Sequence, residues 1–412
     1  MNSHVHHFSY CRVCAGNRLR LILHLADMPL TDDFVPQSMF GSEFRCDLNL
    51  YVCEDCATVQ TRHDVSGQEY YKDYRYSVAG SATASRFMRL LAESVVRRCG
   101  TADPARRRIL EIGSGDGSQL LAFKQLGWQV LGYEPSAILA QSAEQRGVPT
   151  IRGHFDLSFK PELPNDFHTV DVLLLSYTFD HLAHPREFLA AARSLLRPDS
   201  GILVVEVHNL EDIFKRREYC LFEHEHTIYL TAASAASLAA REGFKVLDYD
   251  PVPGNERRAN SLIFVATPQG ADQSRPAVLP LEPAKAGFYE RQAALIQQGI
   301  ANLDCFVDHI AASGGTIAGY GAGGRGVMTL ASMQSAAKVS YLVDRRFDRP
   351  GLVAPKSGVP VSGLSKLKES PVDKILVFSY GYMDEIRSEL AAYGYKPDQF
   401  HSLIDVMAGT AG

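Results

Sequence analysis

The stretch Ile109-Leu-Glu-Ile-Gly-Ser-Gly-Asp-Gly117 constrains this chain more than any other. An apolar strand runs straight into a glycine-rich turn, and from about Ser118 a helical pattern takes over. Glycines permit a tight turn and close backbone approach to a ligand, and the first turn of the helix offers unpaired N–H groups. This strand–turn–helix opens a Rossmann-like α/β sheet, so the fold class is α/β. Glycines alone do not choose the ligand, because dinucleotide-binding folds carry a similar turn after their first strand. Acidic residues narrow it. Glu111 ends the first strand, Asp116 sits inside the turn, and Glu134 closes the next strand, Gln129 to Tyr133, where a carboxylate can accept both hydroxyls of a ribose.

At 412 residues the chain exceeds one ordinary core, and at roughly 150 residues per domain three units are expected. Hydrophobic content of 46% and charged content of 22% are those of a globular protein. A net charge of −5 provides no field to gather a phosphate backbone, so no nucleic-acid partner is expected. Met1 to Tyr10 lacks the basic and apolar regions of a signal peptide, and runs such as Val170–Leu175 and Ile202–Val205 are strand-length. A cytoplasmic protein with no membrane partner is expected, as a monomer or small homo-oligomer.

Composition divides the chain. Residues 1–70 are rich in breaks and carry Cys11-Arg-Val-Cys14 and Cys53-Glu-Asp-Cys56. Four thiolates at that spacing can close a tetrahedral zinc shell, and a closed shell leaves no open position for water, so the metal is expected to be structural. His4, His6 and His7 are competing ligands, expected to be solvated instead. The other cysteines, Cys46, Cys99, Cys220 and Cys305, are scattered, as suits a reducing compartment. Residues 71–268 form the cofactor unit, in which Phe87, Leu90, Leu91, Val95 and Val96 line one face of a helix expected to pack on its sheet. Residues 269–285, rich in Pro, Ala, Gly and Ser, read as a linker. Residues 286–412 then repeat the theme with a helix from Phe288 to Ala312 and strands at Thr316–Tyr320, Val339–Val343 and Lys374–Phe378. They read as a second, smaller Rossmann-like unit.

The pattern E-x-G-x-G-x-G from Glu111 through Gly113, Gly115, Asp116 and Gly117 resembles motif I of class I methyltransferases, whose donor is S-adenosylmethionine. The resemblance makes Glu134 the ribose-binding acid. It places His154-Phe155-Asp156 by the adenine and the segment Ser176–His181, with Tyr177, beside the methyl donor. Core packing is the competing account of Tyr177 and Phe179, and a loop histidine that of His181.

Phe222-Glu-His-Glu-His226 gathers two carboxylates and two imidazoles. An extended segment would put Glu223 and Glu225 on one face and His224 and His226 on the other, unless the segment is a loop, and a solvated loop is the competing account of the cluster. The helical H-E-x-x-H metal pattern is absent, so acid–base chemistry is expected ahead of metal binding, with histidine the best suited group. With the knuckles, Asp73-Tyr-Arg-Tyr-Ser77, and Gly319-Tyr-Gly-Ala-Gly-Gly-Arg325 followed by Asp344-Arg-Arg, the layout resembles the sugar C-methyltransferases of deoxysugar biosynthesis over nearly the whole chain. That resemblance implies a small N-terminal zinc-binding domain, a central class I methyltransferase domain and a C-terminal Rossmann-like domain. It implies methylation beside the ketone of a nucleotide-linked 4-keto sugar through an enolate.

By the same resemblance His226 is the general base, Glu225 orients the sugar, and Tyr76 is an active-site aromatic; Glu223 and His224, in the same cluster, are further catalytic candidates. Tyr320, Gly321, Gly323, Gly324, Arg325 and Asp344 would hold the substrate's nucleotide diphosphate. The chain departs from the family in three places. Glu223 stands where a tyrosine is common and Arg325 where a lysine is usual, and Asp344 to Val361 keeps only part of the family's D-x-N-P pattern. An O- or N-methyltransferase on the same scaffold, or a noncatalytic nucleotide-binding module, are the alternatives.

Overall fold

The computed structural model describes every residue except 1–4, 32, 66–81, 101–102, 155–162, 259, 271–284, 348–350 and 411–412. Tyr76, Phe155, Asp156, His4 and the Asp73–Ser77 segment therefore lie outside the described residues.

The first part is less loop-rich than its breaks predict. β1 (Val5–His7), β2 (Leu19–Pro29), β3 (Val35–Pro36), β4 (Arg45–Cys53), β5 (Val59–Thr61) and β6 (His63–Val65) follow one another. Leu23, Leu25, Leu48, Leu50 and Val52 alternate along β2 and β4 and are buried, which is why these two runs pair antiparallel as the heart of a sheet. His6 and His7 pair with β6 in β1, opposite Asp64 and His63.

α1 (Ala82–Arg98) comes next and buries Phe87, Leu91 and Val95, which join Ile109, Val172 and Ile263 in one core cluster. The helix thus lies on the central sheet, as its apolar face predicts. The part of the chain that forms that sheet runs through β7 (Arg108–Ile112), α2 (Ser118–Gln125), β8 (Gln129–Glu134), α3 (Ala137–Gln145), β9 (Thr150–Arg152), β10 (Val172–Ser176), α4 (Pro185–Leu195), β11 (Ile202–His208), α5 (Leu210–Arg216), β12 (Ile228–Tyr229), α6 (Ala232–Arg241), β13 (Phe244–Tyr249) and β14 (Ser261–Pro268). Seven strands lie in the order β13-β14-β11-β10-β7-β8-β9. β9, β8, β7, β10 and β11 are parallel, and β14 and β13 close one edge antiparallel. Strand order reverses between β7 and β10, and ligands of such sheets bind outside the carboxyl ends at that reversal. β12 is not in this sheet.

The last part holds α7 (Ala286–Ala312), β15 (Ile317–Tyr320), α8 (Gly324–Ser332), β16 (Leu342–Val343), β17 (Leu352–Val353), β18 (Pro360–Ser362), α9 (Lys366–Glu369), β19 (Lys374–Val377), α10 (Met383–Ala391), β20 (Phe400–Ser402) and α11 (Leu403–Ala408). The strand expected over Val339–Val343 is only two residues long, because Val339 closes a short 3-10 turn from Ala336. Two strands cross between the parts. β12 completes a four-stranded sheet in the order β12-β5-β4-β2, and β3 completes the last sheet, in the order β20-β19-β15-β16-β18-β17-β3. One core cluster accordingly runs from Leu23 and Leu50 through Phe214, Phe222 and Tyr229 to Ile296 and Met328. Among the described residues no helix is long and apolar enough to cross a membrane.

Candidate functional site

At the reversal, the turn after β7 is held by the acid that ends β8. Glu134, buried, accepts from the Gly115 N–H through Oε2 and from the Ser136 N–H through Oε1, both at 2.8 Å. Each oxygen keeps a second lone pair for a ligand hydroxyl. Burial lifts the Glu134 carboxyl above its usual range, against the two N–H groups that oppose this. Gly113 has a φ of 69°, and a Cβ there would fall 2.2 Å from Thr178 Oγ1, so no other residue fits. Asp116 accepts from the Ser118 N–H at the start of α2 and lies 3.7 Å from Arg146. Glu111 is 2% exposed, and its Oε2 has no hydrogen-bond partner among the described residues. An unpaired buried acceptor at the mouth of the turn suits a donor molecule that brings its own N–H or O–H groups.

Tyr177 follows β10 with a φ of 51°, a left-handed conformation costing roughly 1–2 kcal/mol in a non-glycine residue. Its N–H bonds Glu206 O at 2.8 Å, its ring meets His208 at 4.7 Å, and the Arg258 guanidinium lies 5.5 Å above it. Such strain is held only where the surroundings over-determine it, commonly at binding sites. Beneath it Glu206, fully buried, accepts from Ser176 and from Ser261 Oγ and sits 3.4 Å from Arg258.

The residues Phe222 to His226 form a turn, with the His226 N–H on Glu223 O at 3.3 Å, rather than the extended segment that would alternate their faces. The turn separates the two histidines. His224 points to the first part of the chain, where Nε2 donates to Met28 O at 2.9 Å and Nδ1 meets His63 Nε2 at 2.7 Å. His226 points to the carboxyl ends of β10 and β11. Its Nδ1 lies 3.1 Å from Leu221 O, which fixes the proton on Nδ1 and leaves Nε2 as the acceptor, 4.0 Å from Glu223 Oε2. Burial lowers the proton affinity of His226, and the Asp180 charge works against that.

The Tyr229 phenol accepts the Glu223 N–H at 3.0 Å and returns its own proton to Glu223 O at 3.3 Å, locking the turn. Thr31 of the first part approaches Glu225 Oε1 at 3.3 Å through its hydroxyl. Gly324 of the last part approaches Glu223 so closely that a Cβ there would stand 2.7 Å from Oε1. The turn thus lies where all three parts of the chain meet.

In the last part, Asp344 accepts the Ala322 N–H at 3.0 Å, much as Glu134 holds its own turn. Arg325 Nε lies 3.7 Å from Glu218 Oε1 and its guanidinium 5.8 Å from the Tyr380 ring, facing the methyltransferase-like sheet. The Gly321 N–H closes the β15 turn on Val343 O, and Gly323 caps α8. The Tyr320 side chain is turned away, its hydroxyl on Glu389 at 2.9 Å within the core. His208, Glu206, Arg258 and Glu218 belong to these clusters without a motif to announce them, whereas Asp180 lies within the Ser176–His181 segment expected beside the methyl donor. The one signal for His208 was its place at the carboxyl end of a parallel strand.

The four cysteines converge. Cys11 and Cys56 sulfurs are 3.6 Å apart, as are Cys14 and Cys53, and all four lie within 4.8 Å of one another. A tetrahedral shell with Zn–S near 2.3 Å needs sulfurs about 3.8 Å apart. Both knuckles make the same turn, with the Ala15 N–H on Cys11 O and the Ala57 N–H on Cys53 O at 2.8 Å, and Ala15 and Ala57 both left-handed. The set fits one structural zinc.

Three family models match the chain: a zinc binding domain over residues 11–71, a methyltransferase domain over 84–249 and a C-methyltransferase C-terminal domain over 281–404. The chain is similar to the C-methyltransferase NovU of Streptomyces niveus, with 27% identity over 386 residues, 91% of this chain and 90% of that one. It is also similar to an uncharacterized methyltransferase of Geobacillus kaustophilus (strain HTA426), with 28% identity over 196 residues, 44% of this chain and 83% of that one. Among solved structures, the CcbJ methyltransferase from Streptomyces caelestis aligns with 49% of this chain and 96% of its own at a TM-score of 0.35 and 17% identity.

Proposed function

From the premise that this chain is an S-adenosylmethionine-dependent methyltransferase belonging to the C-methyltransferase family, we propose that it methylates a carbon beside the ketone of a nucleotide-linked deoxysugar, with His226 as general base. The observation that carries this reading is the setting of His226. Its tautomer is fixed by Leu221 O, its Nε2 is left as acceptor, and the turn bearing it lies where Thr31, Glu223 and Gly324 meet. A base must have its lone pair free and aimed at the acceptor cleft.

Bound S-adenosylmethionine would supply an electrophilic methyl carbon on a sulfonium, held by Glu134 and the Gly113–Gly117 turn with Glu111 at its mouth. His226 Nε2 takes the proton from the acceptor carbon, and Glu225, braced by Thr31, orients the sugar. The turn from Gly321 to Arg325 receives the nucleotide diphosphate, with Arg325 supplying charge. His226→Ala is expected to cut turnover on the order of 10²-fold or more while leaving the affinity for S-adenosylhomocysteine unchanged. Wild-type turnover in that variant sinks the assignment.

One observation favours a second reading. Glu223 Oε2, 4.0 Å from His226 Nε2, brings a carboxylate to the place where an enolate would develop negative charge. That repulsion is absent if the acceptor is a hydroxyl or amine, which His226 would deprotonate directly. The product's proton spectrum decides: a far-upfield methyl signal, a singlet on a quaternary carbon, means carbon, a singlet in the methoxy region means oxygen, and a singlet between the two means nitrogen.

A further inference from the structure

Behind His226 lies a carboxylate that the general-base reading does not use. Asp180 is 2% exposed, and its Oδ2 accepts from His208 Nδ1 at 3.0 Å. Its Oδ1 lies 3.9 Å from His181 Nε2 and has no hydrogen-bond partner among the described residues. The rings of His181 and His208 flank that of His226, with centroids 4.7 and 4.8 Å away. Asp180 is also tied to the base through the backbone, because its carbonyl accepts both the N–H and the hydroxyl of Thr227, the residue after His226. Three separate strand connections thus bring one carboxylate to the edge of the base.

A carboxylate buried this deeply is costly unless it answers a positive charge. Proton abstraction creates one in the same enclosed space. When the acceptor's C–H bond breaks, its electron pair stays with the acceptor and its proton goes to His226 Nε2, leaving an imidazolium. We infer that Asp180 is the counter-ion of that imidazolium and that His208 holds Asp180 in place, both acting as positioning residues behind His226. No proton passes to Asp180, which stays a carboxylate throughout. Burial alone would raise the Asp180 carboxyl, but the hydrogen bond from His208 and the nearby imidazoles outweigh it and keep the group ionised below its usual range. The charged and titratable groups facing His226 are Asp180 and His181 after β10, His208 on β11, Glu223 and Glu225 on its own turn, and Tyr229 on β12.

The inference rests on His226 being the base, so its test does not use turnover. The full chain, labelled with ¹⁵N at histidine and saturated with S-adenosylhomocysteine, is titrated by NMR, and the His226 resonance is assigned by its loss in His226→Ala. In Asp180→Asn the His226 midpoint is expected to fall by about one pH unit, a tenfold loss of proton affinity, with calorimetric affinity for S-adenosylhomocysteine unchanged. Asp180→Ser, which removes the charge but leaves a small polar group facing His208, lowers the midpoint in the same direction and stands in if Asp180→Asn does not fold. A midpoint that stays or rises in the folded variants overturns the inference. The ligand atoms of Asp180, His208 and His226 lie within 4.8 Å of one another, so the metal content is measured as well. One zinc per chain in both proteins is expected, and a second divalent ion lost in Asp180→Asn overturns the counter-ion role. Loss of turnover in His226→Ala with no midpoint shift in Asp180→Asn separates failure of this inference from failure of the base assignment.

Discussion

Glu134 spends one lone pair of each oxygen on the backbone of its own turn, so a ligand hydroxyl bonds to a carboxylate already locked in direction. Glu134→Ala removes charged hydrogen bonds worth about 1.5–3 kcal/mol, and affinity for S-adenosylhomocysteine should fall roughly 10- to 100-fold by calorimetry. Gly324 makes the opposite kind of contact. A Cβ there meets only the tip of the Glu223 side chain and, at 3.5 Å, Thr31, so Gly324→Ala should fold and bind S-adenosylhomocysteine as before. It displaces the Glu223 carboxylate, and a changed KM for the acceptor, with wild-type melting, is the expected result. These two residues also mark what a sequence can disclose. Glu134 and the glycines lie within one strand–turn–helix and its neighbouring strand, and their spacing reports the turn they make. Asp180, His208 and His226 lie on three different strand connections, and only the sheet order brings them together. No spacing encodes that convergence.

The segment from Phe222 to Tyr229 illustrates why elements were harder to read than residues. Its alternating charges suit a strand, yet the Tyr229 phenol closes it into a turn and only Ile228–Tyr229 pairs, with Gln60 and Val59. Tertiary contacts settled a local choice. The strand they pair with begins three residues after Cys56, so the metal knuckle and the base are joined by one short ladder. Removing zinc with a chelator, or Cys53→Ser, should therefore lower turnover together with the melting temperature, and retention of full turnover by metal-free protein would break that link.

The His63–His224 pair joins the same elements. Met28 O fixes a proton on His224 Nε2, so His224 Nδ1 accepts from His63, and both rings are neutral. Burial holds His63 down to about 3 and His224 to about 4. The unfolded chain, with histidines near 6.5, then binds more protons than the folded one between those values and 6.5. Stability should fall as pH drops through about 6.5 toward 4, by up to roughly 1.4 kcal/mol per pH unit for each ring. Melting temperatures across that range should show it, and His63→Gln should flatten the slope.

At the scale of the whole molecule the α/β class was legible because short Val/Ile/Leu runs alternate with helical periods over two stretches of the chain. The exchange of strands was not, since Val35–Pro36 and Ile228–Tyr229 are two-residue strands with no periodicity to detect. Their partners lie far away in sequence: Val35 pairs with Val353, and Val59 with Tyr229. Long-range pairing of this kind is slow to form. During synthesis, Val35 and Pro36 leave the ribosome long before Leu352 and Val353 exist, so the outermost strand of the last sheet waits while most of the chain is made. Pro36 cannot donate a ladder bond, which blunts that waiting edge against other chains. The knuckles, complete once Cys56 has emerged, can take up zinc early and hold β2 and β4 together through the delay, so an early part of the chain to organise is also one of the last to be finished.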